Sequence, residues 1–113
     1  MKVVNRADFL KLPESTVYAK GKPWYFNDIN VKHDTTTSGN DWWFMDFCWP
    51  DTEKGDLESC TNVLEDSLNN GTSFPMINAV CRNGIHDSED LFLIFEKPDL
   101  DRLIAVFQKA KEL

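Results

Sequence analysis

The chain is poor in the residues that announce a chemistry. Its three cysteines, Cys48, Cys60 and Cys81, are an odd number at wide spacings. None belongs to a C-x-x-C pair or has a histidine at metal-ligand spacing, so neither a disulfide framework nor a zinc site is expected. They read as reduced, mostly buried thiols. The two histidines, His33 and His86, are each followed by an aspartate, Asp34 and Asp87. Sequential neighbours on a strand point to opposite faces, so neither pair reads as a catalytic couple. A metal or acid–base site would need both histidines to meet in space with Asp34 or Asp87. There is no glycine-rich phosphate loop and no nucleophile elbow. The expectation is a non-enzymatic protein with no catalytic residue, no metal ligand and no cofactor.

Long apolar runs are missing as well. No segment approaches the about 20 apolar residues of a membrane span, and MKVVNRADFLKL lacks the apolar stretch of a signal peptide. This predicts a cytoplasmic protein without a membrane partner. Positive charge is short too, with 12 bases against 19 acids and a net charge of −7. Such a field repels phosphate backbones and steers basic partners inward, so direct nucleic-acid binding is not expected.

What is present fits one domain over residues 1–113, enough to bury a core without staples. Asn5 can cap a short helix from Arg6 to Leu12, closed by Pro13. Ser15–Lys20, Trp24–Phe26 and Ile29–His33 supply two or three strands around Gly21 and Pro23. The turn formers of Asp34–Asn40 join the last of them to Asp41–Trp49 as a hairpin. Asp56 can cap a helix to about Asn69, ended near Gly71, with Leu57, Cys60, Leu64 and Leu68 on one face. Ile77–Arg82 and Leu91–Phe95 are strands, the second apolar throughout and short enough to be buried on both faces. Pro98 opens a last helix whose Leu100, Leu103, Ile104 and Phe107 form a stripe expected to be buried. The order predicts an α+β fold in two layers: a largely antiparallel sheet of about five strands, two main helices and a short N-terminal helix.

The stretch DWWFMDFCWP, Asp41 to Pro50, holds three of the four tryptophans. Alternation puts Trp43, Met45, Phe47 and Trp49 on one face of a strand and Trp42, Phe44, Asp46 and Cys48 on the other, so both faces are apolar. A single helical layer covers one face only; the second needs more chain, a second subunit or a ligand. A plain core strand and a self-association surface are both consistent with this. In a ligand site, Trp42 and Phe44 would stack on a base while Asp46 accepts from ribose hydroxyls or an exocyclic amine. Tyr25, Trp24 and Lys22 would join them if the loop at Gly21 folds over the sheet, and a bulge at Asp46 would exchange the faces.

VNRADFLKLPESTVYAKGKPW, the NDWW strand, SFPM and the closing LFLIFEKPDLDRL together resemble small accessory proteins carried by bacteriophages and prophages. The resemblance implies a host bacterial cytosol and stoichiometric inhibition of host machinery or host defence by binding. Two functions follow from it, beside a third, an enzyme degrading a nucleotide signal with His33 and His86, that has no motif behind it. One is sequestration of a small nucleotide immune signal by a homo-oligomer through Trp42, Phe44 and Asp46. The other is inhibition of a host or CRISPR-type nucleic-acid-binding protein by acids at Asp51, Glu53 and Asp56 and at Asp87, Glu89 and Asp90.

Overall fold

In the computed structural model all 113 residues are described except the side chain of Cys48, about whose expected burial nothing follows. The fold is α+β. Six strands form one sheet in the order β1-β6-β2-β3-β4-β5, every neighbouring pair antiparallel. They are β1 (Lys2–Asn5), β2 (Val17–Lys22), β3 (Tyr25–Thr35), β4 (Trp42–Pro50), β5 (Met76–Arg82) and β6 (Leu91–Ile94), with helices α1 (Arg6–Leu10), α2 (Leu57–Asn70) and α3 (Lys97–Lys111).

The count exceeds the expected five because Lys2–Asn5 adds an edge strand. Its Val3 and Val4 pair with Leu93 and Phe92, a partner that four residues alone do not reveal. The segments around Trp24 and Ile29 merge into one long β3, joined to β2 by a turn at Pro23 and Trp24. Gly21 permits this hairpin: a Cβ there would lie 2.1 Å from the Tyr25 carbonyl oxygen. The helix ends follow the sequence closely. The Asn5 side chain accepts from the Asp8 N–H and that of Asp56 from the Ser59 N–H, while Gly71 closes α2 in the left-handed region at φ 70°.

Residues directly opposite across strands share a face. One face, here the inner face, carries Tyr18, Phe92, Ile94, Phe44, Trp42 and Asp46. Phe9 of α1 stacks on Phe92 at 4.0 Å and packs against Tyr18 and Trp42, so that all four rings are buried. The Trp42 indole N–H donates to the Tyr18 hydroxyl at 2.8 Å. Burial lifts the Tyr18 phenol to about 12, the bond from Trp42 opposing. Trp42 is therefore core.

On the opposite, outer face, Val17, Val31, Met45 and Val80 stand in register across β2, β3, β4 and β5, and Val3, Leu93, Ala19 and Ile29 across β1, β6, β2 and β3. Val3 and Val80 are about half exposed, and Trp43 and Ile29 over a third. Between Asp46 and Trp49 the register slips, setting Trp49 opposite Ile77 on the inner face. This bulge parts Trp49 from Trp43 and Met45, correcting the strict alternation expected.

The helical stripes depart furthest from expectation. α2 turns Cys60 inward, while Leu57, Leu64 and Leu68 are 80%, 51% and 84% exposed. α3 buries no residue; Leu100 and Leu103 are partly covered, Ile104 and Phe107 open. Amphipathic spacing identifies an apolar face without saying whether its partner lies in the same chain.

Removing the Phe9 ring by Phe9→Ala is expected to lower stability by about 3–5 kcal/mol in chemical denaturation. Trp24→Ala, at a residue 77% exposed, should change it by less than about 0.5 kcal/mol.

Candidate functional site

Between the regions covered by α1 and α2 the inner face stays open as a concavity of about 270 Å3. Trp42 and Tyr18 reach its wall from the core, and Phe44 and Asp46 project from β4. Lys20 comes from β2, Asn27, Asp28 and Asn30 from β3, and Asn83 from the end of β5. Three amides, two carboxylates and one ammonium thus line the concavity together with three aromatic rings, of which Trp42 and Tyr18 belong to the core. Lys20 donates to the Asn83 side-chain oxygen at 3.2 Å, and an Asp46 oxygen accepts from the Phe47 N–H at 2.8 Å. The lining offers donors and acceptors in both senses, which suits the hydroxyls and ring edges of a nucleoside. Its formal charge is unfavourable to a bare phosphate.

Of the residues expected at a ligand site, Trp42, Phe44 and Asp46 come together here. Trp24, Tyr25 and Lys22 do not line it: the two rings sit side by side, 6.3 Å apart, at the β2–β3 turn. Lys22 is spent on Asp87 at 2.8 Å and Asp90 at 3.3 Å, contacts that raise its pKa, Asp87 contributing most. The loop after Gly21 therefore does not fold over this part of the sheet. Asn27, Asn30 and Asn83 escaped the sequence reading. The position of Asn30 one residue before Val31 was the available signal, since alternation from an outward valine turns it inward.

A second polar centre joins α1 to the β5–β6 loop. Arg6 is buried, donates to the Asn40 carbonyl at 2.6 Å and lies 4.9 Å above the Trp42 ring. Asp41, also buried, accepts from Arg82 Nε at 3.0 Å and the Gly84 N–H at 3.1 Å. Burial alone would raise the Asp41 carboxyl, but hydrogen bonds from the Trp42 backbone, Arg82, Asn83 and Gly84 outweigh it and hold it below 3.8. These contacts tie one end of the β4–β5 pair, where β4 begins and β5 finishes, to the core.

His33 and His86 do not meet. His86 borders the Arg6–Asp41 centre, whereas His33 lies with Glu14 and Asp34, the three ligand atoms within 4.8 Å of one another. His33 and Asp34, expected on opposite faces, approach to 3.6 Å because the β3–β4 register slips between Lys32 and Thr35 and breaks the alternation there. A hydrogen bond with the Asp34 carboxylate raises the Glu14 carboxyl. Lys32 is buried, its ammonium donating to Thr35 Oγ1 at 2.8 Å, and burial lowers its pKa. Cys60 is buried and Cys81 partly so. No family model, curated protein or solved structure matches the chain. Among the described residues no helix is long and apolar enough to cross a membrane.

Asp41→Ala should destabilise the fold by about 3 kcal/mol, since it leaves the buried Arg6 guanidinium, 3.9 Å from this carboxylate, without its counter-charge. A depressed carboxyl stabilises above its unfolded value and loses that contribution as pH falls through the folded one. Native stability measured against pH should therefore decline below about pH 4, and less steeply in Asp41→Asn.

Proposed function

We propose that the protein is a non-enzymatic binding protein of the phage accessory type, which sequesters a small nucleotide-type immune signal on the inner face of its sheet. One observation carries this reading: Phe44 stands beside Asp46, Lys20, Asn30 and Asn83 in an open concavity of nucleoside size. Phe44 stacks on the base, the three amides and Asp46 satisfy ribose and base edges, and Lys20 is the one cation near a phosphate. Trp42 serves as a rigid wall, because its indole is committed to Tyr18.

The acidic-inhibitor reading draws less support. Asp90 is buried and paired with Lys20 and Lys22, and Asp87 is paired with Lys22. Asp56 is occupied in capping α2. A protein partner would meet a smaller free acidic surface than the sequence suggests.

The test is equilibrium dialysis against radiolabelled mononucleotides, dinucleotides and cyclic nucleotides, followed by heat release and chromatography of what was bound. Retention with intact recovery is expected, and Phe44→Ala should weaken it about tenfold or more, the loss of one stacked base. A converted product would overturn the non-enzymatic reading. No retention of any probe would overturn sequestration, and retention unchanged in Phe44→Ala and Asp46→Ala would remove the site from this face.

A further inference from the structure

Among the described residues, two apolar surfaces besides the open stripe of α2 have no partner within the chain. One is the outer sheet face, with Val17, Val31, Met45 and Val80 aligned across four strands and Trp43 beside them. The other is α3, a helix of 15 residues whose Ile104, Val106 and Phe107 are 64%, 58% and 68% exposed. A helix of this length is marginal in water without tertiary packing. Its first turn is held by the Met1 ammonium on Asp99 at 2.8 Å and Glu96 at 3.3 Å, and beyond Leu103 its side chains are exposed.

We propose that α3 of one copy docks on the outer sheet face of a second copy, and the reverse, closing an isologous dimer. Area is the first argument. The chain exposes 8228 Å2, whereas a monomer of 13.1 kDa ordinarily exposes about 6,400 Å2. The surplus of about 1,800 Å2 per copy exceeds the roughly 800 Å2 per partner of a standard interface and falls among obligate ones. The radius of gyration agrees, at 16.5 Å against about 13 Å for a compact chain of this length.

Charge is the second argument. In a chain of net charge −7, α3 carries four cations, Lys97, Arg102, Lys109 and Lys111, against two acids, Asp99 and Asp101. A basic amphipathic helix is drawn to an acidic body, which names a second copy as a fitting occupant. Size is the third. At 1.5 Å per residue α3 is about 22 Å long, close to the about 24 Å width of six strands. Two-fold symmetry uses each contact twice and covers both surfaces at once.

Sedimentation velocity of the full chain across low to high micromolar concentration tests this. A reversible dimer is expected, and Ile104→Asp with Phe107→Asp should weaken it by about 100-fold or more, as should Val80→Asp on the sheet. All three side chains are half exposed or more in a lone chain, so the variants keep the fold, which near-ultraviolet circular dichroism of the Trp42 core verifies. Trp43 emission should shift to the red when the dimer is broken, and Trp43→Phe should abolish that shift. A monomer at the highest concentration overturns the proposal. So does a dimer indifferent to the helix variant, or one that the helix variant breaks and Val80→Asp leaves intact, which is helix-to-helix pairing. An assembly of more than two copies is judged by the same two variants. The concave site takes no part in the contact, so ligand retention by the dissociated variant separates failure of the dimer from failure of the binding reading.

Discussion

A sheet offers two faces, and helices α1 and α2 both lie over the same one. That imbalance governs the rest of the structure. The inner face acquires a dense aromatic core of Phe9, Tyr18, Trp42 and Phe92, while the outer face keeps an apolar surface a folded chain ordinarily hides. Because α1 has only five residues, it seals the part of the inner face above Trp42 and leaves the strip beyond it open. The concave site occupies that strip, so the brevity of one helix accounts for both a core and a cavity on a single face.

The polar residues follow the same geography. Arg6 and Asp41 lie where α1 meets the β5–β6 loop, and their bonds to Asn40, Arg82 and Gly84 hold the rim of the sheet where the core ends. Lys32 is buried near the Phe9 ring with its charge held by Thr35 and a carbonyl. Lys22 fastens the loop that carries Asp87 and Asp90, and Lys20 reaches the concave site while lying 3.8 Å from Asp90 as well. Few cations line the concave site, so the ligand proposed for it is one held through neutral groups.

Much of this was legible in the sequence. Caps at Asn5 and Asp56, the stop at Gly71 and the alternation of Trp42, Phe44 and Asp46 each reflect a local rule, and the structure obeys them. Non-local facts were hidden. β1 exists because β6 supplies a partner from the far end of the chain. The bulges at His33 and after Asp46 depend on pairing register, which single residues do not encode. The grouping of Phe44 with Asn30 and Asn83 needed three strands placed side by side. The stripe of α3 was correctly seen as apolar and wrongly assigned to this chain's own core, since periodicity is blind to whose surface a helix covers.

In the proposed dimer α3 is held by packing from outside its own chain, and amide hydrogen exchange reads that directly. With a second copy on the helix, the amides of residues 100–111 should be protected at micromolar concentration and lose protection on dilution, while those around Trp42 keep theirs. Rapid exchange of α3 at every concentration, or protection that dilution leaves unchanged, would contradict it.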